Sequence, residues 1–139
     1  MNWLLWSLLS AGFAGATAIL AKIGVKGVDS NLATAVRTGV VLIFSWVVVV
    51  ATGQAGALTA FSRRTWVFLI LSGLATGLSW LCYFRALQLG EAARVAPIDK
   101  LSVVFVLLFA ALFLGEALTW KTGLGGGLIV AGAIVLALK

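Results

Sequence analysis

The sequence has no histidine, one cysteine, one proline and four acidic residues among its 139 positions. Without histidine, and with Cys82 as the single thiol, zinc or iron lacks its usual protein ligands and an intrachain disulfide is excluded. Cys82 has no histidine to activate it, and the sequence contains neither a nucleophile elbow nor a glycine loop ahead of a Lys-Ser or Lys-Thr pair. We therefore expect no enzyme activity and no bound metal or cofactor.

Charged side chains are also scarce, at 10% of residues, against about 25% in a typical soluble domain. Hydrophobic residues make up 63% of the chain, and the mean hydropathy is +1.17. A water-soluble fold of this length cannot bury so much apolar surface, so we predict an integral membrane protein. The net charge of +6 does not indicate nucleic-acid binding, because the basic residues are scattered singly at helix ends, apart from Arg63-Arg64, and form no basic face.

Five apolar stretches are long enough to cross a bilayer, which takes about 20 helical residues. We predict an all-α fold with transmembrane helices over residues 3–24, 32–52, 65–89, 95–114 and 119–138. The first stretch is too long for the core of a signal peptide and has no basic residue before it, so we interpret it as a retained span. The connections are short, and no internal repeat is found. The prediction is a single five-helix transmembrane domain over residues 1–139.

The fourth stretch carries a proline, an acid and a base in its first turn and a half, namely Pro97, Asp99 and Lys100. An ionisable side chain at the bilayer centre costs about 2.5 to 3.5 kcal/mol on insertion scales, so charges inside a span need a reason. One interpretation is structural: Pro97 starts the helix, Asp99 caps it, and Lys100 reaches the interface. The other is functional: both charges face an aqueous cavity and contact a solute or a coupling ion.

The third span carries polar residues on one face, at spacings of four, three and four, with a tryptophan beside them. These residues are Ser72, Thr76, Ser79 and Tyr83, and the tryptophan is Trp80. Helix packing would explain the small residues, since interhelical hydrogen bonds contribute about 0.6 kcal/mol each on average. It explains the two bulky rings less well. We therefore favour the lining of a cavity with aromatic walls.

Two further features concern the second and fifth spans. Arg37 lies about one turn inside the predicted second span, where it either extends to the interface or contacts a substrate. Gly123, Gly127 and Ala131 follow one another at four-residue steps in the fifth span. Such small residues let two helices approach closely, so we predict a helix–helix seam there, and specifically a dimer seam.

Basic residues in short loops set the orientation of a membrane protein, since they stay in the cytoplasm. Here the loops are balanced: one side of the membrane receives Arg63, Arg64 and Lys121, and the other receives Lys26, Arg94 and Lys139. Three more basic residues near helix ends favour a cytoplasmic carboxyl terminus, namely Lys22, Arg37 and Arg85. The bias is weak. A chain that inserts both ways would form an inverted (antiparallel) homodimer, the arrangement that gives transporters alternating access.

Three segments resemble the EamA-like domain of the drug/metabolite transporter superfamily. They are Val95 to Ser102, Leu114 to Thr119, and the glycine-containing run from Gly127 to Leu136. Lys22 to Gly24 and Arg37 also fit, so the likeness covers nearly the whole chain. The resemblance implies a helical transporter whose cavity is lined by the first, third and fourth spans. This chain is similar to the five-span, single-domain members, which are thought to work in pairs.

The last span also looks like that of small multidrug-resistance transporters, which dimerise through it. Those proteins depend on a glutamate in their first helix, and the first span here has no acidic residue. Their proton-for-drug exchange is therefore not carried over.

The expected function is secondary transport of a small organic solute across the prokaryotic inner membrane by alternating access. The expected partners are the solute, the lipid bilayer and a second, inverted copy of the chain. Asp99 and Lys100 are the predicted coupling or substrate-contacting groups, with Ser79, Trp80 and Tyr83 shaping the pocket. Two other functions stay open: a non-transporting membrane subunit that pairs with a different protein, and a flippase for a lipid-linked substrate.

Overall fold

The computed structural model describes residues 2–138, so Met1, Lys139 and the charge assigned to Lys139 lie outside the described residues. Within residues 2–138, six α-helices follow one another: α1 (Trp3–Gly24), α2 (Ser30–Ala51), α3 (Arg63–Leu89), α4 (Ala92–Asp99), α5 (Ser102–Leu114) and α6 (Trp120–Ala137). A short 3₁₀ helix, Ala55–Ala60, lies between α2 and α3. Five segments of the described chain are long and apolar enough to cross a membrane, with α4 and α5 together forming the fourth. The prediction of an all-α protein with five spans is confirmed.

Polar side chains at the helix starts explain why two helices begin before the predicted apolar stretches. The Asp29 carboxylate accepts hydrogen bonds from the backbone N–H groups of Asn31 (2.9 Å) and Leu32 (3.0 Å), so α2 starts at Ser30. The Ser62 hydroxyl accepts from the Thr65 N–H at 3.1 Å, where α3 begins. The hydrophobic pattern alone placed these starts too late, because a capped first turn is polar.

The chain forms two compact units, of which one comprises residues 21–88. Its buried apolar side chains are Val25, Phe84 and Leu87. The Lys22 ammonium donates to the Leu87 carbonyl at 2.5 Å, and the Gln88 amide donates to the Val28 carbonyl at 2.7 Å. Carbonyls in the last turn of a helix lack intrahelical donors, so the Lys22 contact satisfies the carboxyl end of α3.

The other unit comprises residues 2–20 and 89–138 of the described chain. Here both halves of the fourth span, α4 and α5, pack against α6. The contact depends on small residues of α6: Ala133 is buried, and a Cβ atom placed on Gly126 would lie 3.1 Å from the Leu107 Cδ1 atom. Glycine and alanine let neighbouring helices approach closely, which supplies van der Waals contact where lipid offers no hydrophobic drive.

Most large apolar side chains of the described residues point away from the protein interior, among them Trp3 (75% exposed), Phe13 (74%) and Phe113 (79%). In water this surface would be unstable. In a bilayer, lipid tails cover it without penalty, and a second protein chain can cover part of it.

Candidate functional site

The fourth span is broken inside the predicted membrane segment. The helix begins at Ala92, three residues before the predicted start, so Pro97 is its sixth residue instead of lying in its first turn. The helical pattern stops after Asp99 and resumes at Ser102. Residues 92–114 form one candidate span, as predicted for residues 95–114. The interruption inside it was not predicted, because hydropathy measures the length of an apolar stretch and not the continuity of its backbone.

Backbone hydrogen bonds show how the break forms. Pro97 has no N–H group, so it cannot donate to the carbonyl one turn before it. The Lys100 N–H is shared between the carbonyls of Ala96 (3.3 Å) and Pro97 (3.1 Å). After it, the Leu101 N–H donates to the Ile98 carbonyl at 3.0 Å. The bonds to Pro97 and Ile98 reach back three residues instead of four, which tightens the chain into a 3₁₀ turn between two half-helices.

Asp99 and Lys100 lie at this break and pair with each other. The Lys100 Nζ atom is 3.3 Å from Asp99 Oδ2; Asp99 is half-buried, and Lys100 is exposed. The cap positions of α4 and α5 are Glu91 and Leu101, and neither makes a side-chain capping bond. The interpretation of Asp99 as a helix cap was therefore wrong. Asp99 instead ends α4, where the helix dipole disfavours a carboxylate and the neighbouring ammonium compensates for it.

The polar face of the third span is exposed on α3. The Thr76 hydroxyl donates to the Ser72 carbonyl at 2.9 Å within the same helix, and Ser79 is exposed. Hydroxyls that bond to their own backbone are common in membrane helices, because this satisfies them in an apolar surrounding. The lining of a cavity by Ser72, Thr76 and Ser79 stays a prediction.

Arg37 is brought together with two aromatic rings of α3. Its guanidinium carbon lies 4.0 Å from the centroid of the Trp80 ring and 5.6 Å from that of Phe84. Tyr83, between them in sequence, is half-buried. Sequence reasoning singled out Arg37, Trp80 and Tyr83 but missed Phe84. Its position four residues after Trp80, on the same helical face, was the available signal.

The Arg37 side chain lies well inside α2, and its extension to the interface and its contact with a substrate both stay predictions. Arg37 is seven residues into α2, about 10 Å along its axis. Trp80 lies nine residues before the end of α3, and Phe84 lies five residues before that end. The guanidinium is closer to the Trp80 ring, so the charge contacts the ring that is farther from the end of the helix. A desolvated cation–π contact contributes about 2 kcal/mol, less than the about 2.5 to 3.5 kcal/mol that a charge costs at the centre of a span.

The predicted seam residues of α6 lie on a different face from the one that packs within the chain. Gly123, Gly127 and Ala131 are exposed, and a Cβ atom at either glycine would meet no described atom within 4 Å. Gly126 and Ala133 make the internal contact instead. The dimer seam stays a prediction.

The described residues contain five apolar spans, one of them interrupted at paired charges, and so define a multi-pass membrane protein. Interrupted spans of this kind occur in transporters. The chain belongs to the EamA-like transporter family, whose sequence pattern matches residues 1–138. It is similar to a Sinorhizobium protein described as an uncharacterized transporter in the cobO 3' region, with 55% identity over 136 residues, 98% of this chain and 96% of the relative. No solved structure matches the chain. The family inferred from the sequence is confirmed, and the protein is a membrane transporter.

Proposed function

We propose that the protein is a secondary transporter that moves a small organic solute across a prokaryotic inner membrane by alternating access. The observation that carries the proposal is the break in the fourth span, with the Asp99–Lys100 pair located on it. Membrane proteins accept non-helical backbone at this depth where it is covered by protein or lines an aqueous cavity. Transporters use such interrupted helices to place backbone and charged groups against their cargo.

The pair is suited to a reversible step. Its two residues are adjacent in sequence and partly exposed, so either charge can leave the other without unfolding the helices around it. We propose that a proton or the solute competes for Asp99 or Lys100 during the cycle. Separation of the pair would expose a carboxylate at the carboxyl end of α4, and the energy of that arrangement depends on which ligand is bound.

An inverted homodimer completes the proposal. The hydroxyls of Ser72, Thr76 and Ser79 are exposed on one chain and would face hydrocarbon without a partner. A second copy would enclose them, together with the two rings of Trp80 and Tyr83, in a shared chamber. The exposed small residues Gly123, Gly127 and Ala131 offer a surface for close approach between copies.

Uptake into proteoliposomes tests the function and the site together. The solute is first selected from a metabolite library by thermal stabilisation of the purified protein, since ligands that bind the folded state stabilise it by mass action. We expect Asp99→Asn and Lys100→Ala to lower the initial uptake rate at least about tenfold, the equivalent of 1.4 kcal/mol.

Glu91→Gln is the matched control, because Glu91 pairs with Arg94 at 3.3 Å at the start of the same short helix but lies away from the break. This variant should keep a rate within about twofold of the wild type, as expected for an exposed ion pair. Wild-type rates in both site variants would reject the assignment of Asp99 and Lys100.

A further inference from the structure

We propose that the transported solute is an organic anion with a carboxylate group, and that Arg37, held on the Trp80 ring, binds that carboxylate. The inference names the substrate class and rests on the proposed transport function. It concerns a contact between α2 and α3, so it is independent of the Asp99–Lys100 pair.

The charge balance of residues 21–88 is the first support. This unit contains six basic residues and a single acid, Asp29. The Asp29 carboxylate already accepts two backbone N–H groups at the start of α2. The unit therefore has an excess of positive charge and no spare carboxylate to neutralise it.

Arg37 differs from the other basic residues near the same helix ends. Lys22 donates to the Leu87 carbonyl, and Arg85 donates to the Gln88 side-chain oxygen at 2.7 Å. The ion pairs within residues 2–138 join Arg94 to Glu91 and Lys100 to Asp99. Arg37 thus lies inside an apolar span, against aromatic rings, with no carboxylate beside it among the described residues.

The contact with Trp80 favours a carboxylate as a ligand of the guanidinium. The guanidinium carbon lies over the Trp80 ring, 4.0 Å from its centroid, and a cation–π contact uses the charge without taking up the five N–H donors in hydrogen bonds. Two of these donors fit the two oxygens of a carboxylate in a bidentate pair. One turn deeper on α2, Val41 is 37% exposed, so the surface beside the guanidinium is apolar. The ligand expected there has a carboxylate at one end and an apolar body.

Isothermal titration calorimetry on the purified full-length protein in detergent tests the inference. The probes are benzoate, phenylacetate and hexanoate, each compared with its uncharged amide. We expect the wild type to bind at least one of these acids at least about tenfold more tightly than its amide, because a charge-assisted hydrogen bond strengthens binding by this order.

Arg37→Gln should abolish the preference for the acid. Arg37→Lys should retain only part of it, because lysine keeps the charge but not the planar fork. Arg85→Gln is the control, since Arg85 lies at the same end of the unit but contacts Gln88; it should bind as the wild type does. Circular dichroism on each variant checks that it is folded, and Arg37→Lys decides the question if Arg37→Gln does not fold.

Equal binding of acid and amide throughout the series, or an acid preference that survives in both Arg37 variants, overturns the inference. So does the absence of binding by all three acids. This outcome is distinct from failure of the proposed function. Asp99-dependent uptake of a neutral solute would support the proposed transport function and reject an organic anion as the substrate. Arg37-dependent binding of an acid without any uptake would support the anion site and reject the transport function.

Discussion

At the scale of single residues, neighbouring glycines of α6 have different surroundings. Gly126 is buried, and a side chain at this position would press on Leu107. Gly125 is exposed and has open space around its Cα atom. The run of three glycines from residue 125 to residue 127 gives no indication of this difference, because a glycine has no side chain whose polarity would mark the contact.

Leucine substitutions separate the two positions. We expect Gly126→Leu to lower the free energy of unfolding by about 1 to 3 kcal/mol relative to Gly125→Leu, the usual cost of overpacking. Both variants gain the same helix propensity, so the difference reports packing alone. Thermal unfolding of the two variants in detergent, followed by circular dichroism, gives the comparison. Equal stabilities would contradict the packing of α6 on α5.

At the scale of elements, the fourth span has two adjacent weak points. Pro97 removes one hydrogen bond on the amino side of Asp99, and the 3₁₀ turn at Lys100 and Leu101 interrupts the helix on its carboxyl side. A charged pair held between two such points can be reoriented by small rotations of either half-helix. The orientation of the Asp99 side chain therefore depends on the two interruptions of the fourth span and not on Asp99 alone.

We expect Pro97→Ala to stabilise the protein and slow transport. The new N–H group restores one helical hydrogen bond, and proline inside a helix costs up to about 3 kcal/mol relative to alanine. The unfolding temperature should rise while uptake in proteoliposomes falls severalfold with solute affinity retained. Ile98→Ala, at an exposed neighbouring position, is the control and should leave uptake unchanged. Unaltered uptake by Pro97→Ala would show that the break is not used in the cycle.

At the scale of the whole molecule, the odd number of spans matters most. The two ends of a five-span chain lie on opposite sides of the membrane, and loop charges of three on each side specify the orientation weakly. Insertion in both orientations would supply the two inverted copies that the proposed transporter needs. A fixed orientation would favour assembly with a different membrane protein.

Reporters fused to the carboxyl terminus measure this orientation. We expect both alkaline phosphatase activity, from the outside, and green fluorescence, from the inside, with the inside signal larger because helix-end charges favour it. Adding two lysines by Ala117→Lys and Leu118→Lys, in the loop between α5 and α6, should shift the signal outward. A signal from one side alone, unchanged by the lysines, would exclude the inverted homodimer.

Several of these features could be predicted from the sequence, each for a physical reason. A backbone in lipid must satisfy its own N–H and C=O groups, which a helix does within one segment. Long apolar stretches therefore predict membrane-spanning helices with little ambiguity. The position of the break at Lys100 could not be predicted from the sequence, because it depends on which carbonyl accepts the hydrogen bond of each backbone N–H group. Phe84 was missed because its partner, Arg37, lies 47 residues earlier and reaches it only in the folded chain.

The sequence by itself determined that this protein is a helical membrane transporter, because solvation of apolar side chains depends on composition and the family pattern lies in local residue order. The tertiary structure alone decided that Asp99 ends a half-helix, that the Arg37 guanidinium carbon lies 4.0 Å from the centroid of the Trp80 ring, and that a side chain at Gly126 would press on Leu107. Each of these depends on the direction of a backbone or side-chain bond in space, and such directions follow from packing between elements distant in the chain.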